Sequence, residues 1–198
     1  MKAVRIKQQG GPEVMSIDDV DQPQPAATEV LIKIEAAGIN YIDTYQRSGL
    51  YQIPLPTTLG LEASGTVEGI GSDVSRFKIG DRVAYTNVLG AYAEYSTVDQ
   101  NKVVALPDGV SFNEGAAAML QGCTAHYLSQ STYPIKKGDS CLIHAAAGGV
   151  GLILTQMAKN AGAYVIGTVS TSEKAELARS AGADEVILYS QTDFETEV

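Results

Sequence analysis

Cys141-Leu142-Ile143-His144-Ala145-Ala146-Ala147-Gly148-Gly149-Val150-Gly151 reads as a short buried strand that runs into a glycine-rich turn and opens a helix. In that arrangement backbone N–H groups approach a pyrophosphate and the helix N-terminus favours its negative charge. The turn departs from G-x-G-x-x-G: Ala146 takes the place of the first glycine, which puts the tightness of the turn in question. Gly148 would permit close phosphate approach, and Gly151 would let the helix pack closely on the strand. Such a motif is weak by itself and gains weight from a strand before it and an amphipathic helix after it. Ala147, Gly148, Gly149, Val150 and Gly151 are the candidate phosphate-binding residues.

The residues that follow supply that context. Val150, Ile153, Leu154, Met157, Ala158 and Ala161 recur at helical spacing and Gly162 stops the helix. Tyr164 to Val169 reads as a second strand, Glu173 to Ala181 as a second helix capped by Ser170 or Ser172, and Glu185 to Tyr189 as a third strand. The last residues, Thr192 to Val198, could begin another helix. Residues 140 to 189 therefore predict β-α-β-α-β, the first half of a doubly wound parallel sheet. The second strand ends Gly167-Thr168-Val169-Ser170-Thr171-Ser172-Glu173-Lys174, with no carboxylate at its tip to accept ribose hydroxyls. Ser170 and Lys174 suit a 2′-phosphate instead, which favours NADPH over NAD, and Glu173 complements the helix dipole. Tyr189 lies at the edge where it could touch the adenosine phosphate region, or it is a strand-end tyrosine.

The first 110 or so residues are β-rich. Ala3 to Ile6, Glu29 to Ala37, Ala63 to Ile70, the Lys78–Val83 turn into a strand, Ala91 to Val98 and Lys102 to Leu106 are the expected strands. Many short strands with glycine turns predict a barrel or sandwich, with the glycines of Ala63–Ile70 marking a bend. Ser111 and Glu114 form a capping box for a helix through Leu120, and a second helix covers Thr124 to Ser131.

Composition narrows the field. Fourteen basic against 23 acidic residues give a net charge of −9, and no run of Lys or Arg stands out. Nucleic acid and anionic membranes are poor partners for such a chain. The N-terminus lacks an apolar signal core and no 18-residue apolar run exists, so a cytoplasmic location is expected. Cys123 and Cys141 have no metal-like spacing, and His126 and His144 are isolated.

Ala37-Gly38-Ile39-Asn40-Tyr41-Ile42-Asp43, Ser48-Gly49-Leu50-Tyr51, Gly60-Leu61-Glu62-Ala63-Ser64-Gly65, Gly80-Asp81-Arg82-Val83, Gln121-Gly122-Cys123-Thr124-Ala125 and the glycine turn carry a resemblance over the whole chain. The chain resembles the medium-chain dehydrogenase/reductase superfamily and, within it, the zeta-crystallin-like NADPH:quinone oxidoreductases. The resemblance implies a GroES-like barrel domain over 1–121 and a partial Rossmann NADPH-binding domain over 122–198, with an active site in the cleft between them. At the positions where zinc-dependent relatives place Cys, His and Cys, this chain has Asn40, Leu61 and Leu120, and the four-cysteine lobe is missing, so no metal is expected. Hydride transfer from NADPH to a quinone is the implied reaction. Asn40, Tyr51 and Thr124 would line the pocket, with Gln121, Asp43 and Tyr45 as further members. Reduction of an activated C=C bond in enones or alkenals, and non-catalytic NADPH binding, are the alternatives. Relatives run on for well over a hundred residues, so a fragment or truncated product is expected, with a homodimer for a full-length form.

Overall fold

The computed structural model describes all 198 residues, Met1 to Val198. They form two compact units, Met1–Leu120 and Gln121–Val198.

The first unit is built on a five-stranded antiparallel sheet. Its strands are β3 (Glu29–Ala37), β5 (Glu62–Ile70), β6 (Arg82–Thr86), β7 (Tyr95–Asp99) and β8 (Val103–Ala105), in the order β7-β3-β5-β6-β8. A second sheet has the order β2-β1-β4, from β1 (Lys2–Ile6), β2 (Met15–Asp19) and β4 (Thr57–Thr58). The alternation of β3 works as its sequence implies: Val30 and Ile32 are buried in a core with Val67, Val83, Tyr85 and Val98, while Lys33 and Glu35 face outward. The β3–β5 pair shifts register between Leu31 and Ile32 and again between Ile34 and Ala36. Such irregularities bend a sheet and increase its twist. Gly65 sits between them, where a Cβ would fall 1.9 Å from the Lys33 carbonyl oxygen. The glycines of this strand thus mark close backbone approach as well as curvature, and the unit is the GroES-like half-barrel.

Helix α1 (Tyr41–Ser48) is absent from the sequence reading. It is only eight residues long and carries its buried positions on polar side chains, Asp43 and Gln46, so it shows no apolar stripe. Helix α2 (Phe112–Tyr127) replaces the two expected helices with one, continued by a π-helical turn over Leu128–Thr132. Gly122 costs a helix interior about 1 kcal/mol, too little to interrupt an otherwise Ala-rich run. The Ser111–Glu114 capping box forms, with Ser111 N donating to Glu114 Oε2 at 2.8 Å and Glu114 N to Ser111 Oγ at 3.2 Å.

The second unit holds β9 (Ser140–His144), α3 (Gly149–Asn160), β10 (Tyr164–Val169), α4 (Ser172–Ser180), β11 (Glu185–Leu188) and the short α5 (Phe194–Glu197). The three strands are parallel in the order β11-β10-β9, as the β-α-β-α-β pattern predicts. The fully buried line of α3 is Gly151, Thr155 and Ala158; of the expected apolar stripe only Ala158 lies on it, and the larger members are half-buried. At Gly151 a small residue is needed because the helix begins hard against the turn: a Cβ there would fall 2.3 Å from the Ala145 carbonyl oxygen. The N-cap of α4 is Thr171, whose hydroxyl accepts from Lys174 N, and neither Ser170 nor Ser172 holds that place. No helix is long and apolar enough to cross a membrane.

Candidate functional site

In the second unit the strand tips and the glycine turn face one end of the sheet. Ala145 takes a φ of 50°, a left-handed conformation rare for a residue with a Cβ. The sharp turn therefore falls one residue before the position where the motif would place its first glycine. Ala146 is fully buried, and it fits because Gly167 on the neighbouring strand has no side chain: a Cβ there would lie 2.8 Å from that of Ala146. Gly148 is the N-cap of α3 and is exposed together with Gly149. A Cβ on Gly149 would fall 2.0 Å from Gln121 Oε1, so that glycine also receives the Gln121 side chain. Ala147 and Val150, half-buried, flank the two glycines.

At the tip of β10, Lys174 Nζ donates to Ser170 Oγ at 3.2 Å. Ser190 Oγ donates to the Ser170 carbonyl at 2.8 Å, and Tyr189 N to the Val169 carbonyl at 3.1 Å. Ser170, Lys174 and the half-exposed Tyr189 thus gather at the C-terminal ends of β10 and β11. Beside them is a hollow of about 460 Å³ lined by His144, Thr168, Tyr189, Thr192, Asp193 and Phe194. His144 Nδ1 lies 3.0 Å from Thr168 Oγ1, and its ring meets Phe194 edge-on at 5.0 Å. His144 therefore has local partners, as an isolated structural histidine would.

In the first unit Asn40 is the N-cap of α1 and is nearly buried. Its backbone N–H donates to Asp43 Oδ2 at 2.8 Å, and its side-chain Nδ2 donates to Glu62 Oε1 at 2.7 Å. Tyr92 Oη donates to the same Asp43 oxygen at 2.5 Å. Burial first, and then the Asp43 carboxylate, push the Tyr92 phenol well above the ordinary tyrosine range. Tyr51, half-exposed, packs edge-on against Tyr45 at 5.5 Å, and Tyr45 lies 6.4 Å from Tyr41. Tyr51 thus combines a packing role with an exposed face. Thr124 and Gln121 lie on α2 within the second unit, both half-buried.

Glu62 and Tyr92 were given no role on sequence grounds. The clue to Glu62 is Gly38, whose φ needs no glycine but whose Cβ would stand 2.0 Å from Glu62 Oε1.

A curled antiparallel unit followed by a parallel sheet with a glycine turn at its strand tips is the architecture of the medium-chain dehydrogenase/reductases. Residues 26–108 match the alcohol dehydrogenase GroES-like domain, and residues 149–198 match the zinc-binding dehydrogenase family. The chain is 51% identical over 191 residues to a quinone oxidoreductase of Pseudomonas aeruginosa, covering 96% of this chain and 59% of that one. Among solved structures it is similar to the quinone oxidoreductase of Pseudomonas syringae, with a TM-score of 0.97 and 48% identity over all of this chain and 61% of that one. The Escherichia coli quinone oxidoreductase complexed with NADPH gives a TM-score of 0.97 and 45% identity, again over all of this chain and 61% of that one. The chain belongs to the medium-chain dehydrogenase/reductases, and over its own length it is similar to their quinone oxidoreductases. It spans 59% of the length of the first curated relatives it matches.

Proposed function

We propose that the protein is an NADPH-dependent quinone reductase that acts on a small-molecule quinone without zinc, in the cytoplasm, and as a homodimer. The observation that carries the cofactor reading is the Ser170–Lys174 pair. It puts a hydroxyl and a positive charge at the strand tip where an NAD-binding sheet has a carboxylate. The glycine turn fits a dinucleotide. Gly148 and Gly149 are exposed at the N-terminus of α3, an 12-residue helix whose first N–H groups and dipole favour a pyrophosphate. Ala147 to Gly151 would hold that group, Ser170 and Lys174 the 2′-phosphate, and Tyr189 would border the adenosine end.

When bound, NADPH supplies the hydride. The chain's own residues bind and orient. Asn40 presents a side-chain amide to a carbonyl oxygen of the substrate, where a donor stabilises developing negative charge. Tyr51 offers a phenol and an aromatic face to a flat ring, and Thr124 borders the cofactor side. Asp43 holds the backbone of Asn40, and Tyr45 supports the Tyr51 ring. A quinone is already electrophilic and needs no Lewis acid. Asn40, Leu61 and Leu120, at the ligand positions of zinc-dependent relatives, offer neither thiolate nor imidazole.

NADPH oxidation followed at 340 nm with a set of quinones and a set of enones, each with and without a chelator, tests this reading. Quinone turnover that survives the chelator supports it. Enone-only turnover would identify an activated double-bond reductase, and nucleotide binding without turnover a non-catalytic binder. Either result overturns it.

A further inference from the structure

We propose that Glu62 is a positioning residue whose buried carboxylate fixes the side-chain amide of Asn40 in one orientation. The inference rests on the reading of Asn40 as a group that faces substrate.

Glu62 is fully buried, and none of the ion pairs in the chain involves it. Both of its oxygens are nonetheless satisfied: Oε1 accepts from Asn40 Nδ2 at 2.7 Å and Oε2 from the backbone N–H of Leu120 at 2.6 Å. Its own backbone is pinned on both sides. Glu62 pairs with Thr86 across β5 and β6, and its carbonyl accepts from Gly38 N at 3.1 Å. The carboxylate cannot swing without breaking one of these bonds.

A carboxylate only accepts hydrogen bonds, whereas an asparagine amide presents an acceptor at one end and donors at the other. Facing Glu62, Asn40 must direct one N–H of its nitrogen at the carboxylate, which settles an orientation that shape alone leaves twofold and leaves the second N–H as the donor for substrate. The bond is charge-assisted and short, so it holds that choice firmly. Asp43 accepts from the Asn40 backbone N–H by a separate hydrogen bond, and Glu62 accepts from the side-chain nitrogen. Gly38 completes the arrangement. A Cβ there would stand 2.0 Å from Glu62 Oε1 and 2.5 Å from Cδ, so residue 38 must be glycine for the carboxylate to occupy its place.

Glu62→Gln is the informative substitution. A glutamine has one oxygen and one NH2 for two flanking donors, so one contact turns donor against donor whichever way the amide sits. If its NH2 faces Asn40, the Asn40 amide flips to present its oxygen to residue 62, and the second N–H of Nδ2 is lost from the place where it would meet the substrate oxygen.

Two measurements on the protein test the proposal. In 15N–1H spectra the Asn40 side-chain amide, assigned by its loss in Asn40→Ala, is expected downfield and well dispersed, and E62Q is expected to abolish that signature. In quinone turnover E62Q is expected to lower kcat about tenfold or more while the Kd for NADPH stays within about twofold. In the Asn40→Ala background the same change should cost no further activity. An unaltered amide signal, or full kcat penalties that multiply in the double variant, overturns the proposal. If Asn40→Ala leaves turnover unchanged while E62Q still abolishes the amide signature, the catalytic reading of Asn40 fails and the Glu62–Asn40 link stands. Should E62Q not fold, Glu62→Asp, which retracts the carboxylate by one methylene, is subject to the same two readouts.

Discussion

Lys174 Nζ reaches Ser170 Oγ across one turn of chain at the tip of β10, at 3.2 Å. In the proposed reading the pair would hold a positive charge beside the adenosine ribose. Lys174→Ala should therefore weaken NADPH binding about tenfold, roughly 1.4 kcal/mol, and leave NADH binding nearly unchanged. Because Lys174 is exposed, the difference should shrink as salt screens it. Nucleotide titration at two ionic strengths checks both points, and equal losses for the two nucleotides would contradict the assignment.

Two glycines in one turn should behave differently. At Gly151 an added Cβ meets backbone, 2.3 Å from the Ala145 oxygen and 2.8 Å from two Ala146 atoms. At Gly149 it meets the far end of the Gln121 side chain, which can move aside. Gly151→Ala should cost about 1–3 kcal/mol, and Gly149→Ala distinctly less. Urea unfolding of the two variants ranks them; equal midpoints would count against the geometry.

Ala145 offers the converse case. Its left-handed φ of 50° is a conformation glycine adopts freely. Ala145→Gly should stabilise the protein by about 0.5–1 kcal/mol, strain relief being partly offset by the greater freedom of glycine in the unfolded chain. A raised midpoint in the same urea series is the expected result.

The fold was legible where a pattern repeats and obscure where a single contact decides. Period two marked β3, and strand-turn-helix context marked the nucleotide unit. Helix α1 escaped because its buried residues, Asp43 and Gln46, are polar. The break assigned near Gly122 did not occur, because one glycine weakens a helix without ending it. At the candidate site Ser170 and Lys174 are proposed from the missing carboxylate at the strand tip, whereas Asn40 and Tyr51 come only from the family resemblance. Glu62 and Tyr92 could not be named, because their place depends on partners 22 and 49 residues away in the chain.

Alkaline pH should destabilise the protein through two tyrosines. Burial pushes the Tyr85 phenol up to about 12, and Tyr92 is raised further by burial and by Asp43. Both are held neutral in the folded state, so their contribution is intact below the unfolded tyrosine value of about 10. It is lost as pH climbs from there through the folded values. Absorbance at 295 nm should show two late-titrating tyrosines that ionise only with unfolding, and ionisation of all ten near pH 10 in the folded protein would refute this.

Acid should act on a different tie. Asp184 accepts from Lys159 Nζ at 2.7 Å and from Val165 N at 2.7 Å, linking α3, β10 and the approach to β11. The Lys159 bond, followed by the backbone bond, holds its carboxyl below the usual value of 3.8. That contribution is present above the unfolded value and fades as pH falls through the folded one. Asp184→Asn should lower Tm at pH 7 and narrow the gap between Tm at pH 7 and at pH 3. A parallel shift at both pH values would show that its charge is immaterial.

Ala146 and Gly167 carry a lesson about how such a motif drifts. The space that a first glycine in the turn would provide lies instead on the adjacent strand, 21 residues along the chain, where Gly167 admits the methyl of Ala146. The two positions form one substitution unit. A lineage that exchanges Gly167 for alanine first would have to pass through an intermediate with two overlapping methyl groups, whereas one that places glycine at 146 first leaves residue 167 free to grow. The order of mutation, and not only the pair of residues, is set by a single point of contact between the turn and a strand.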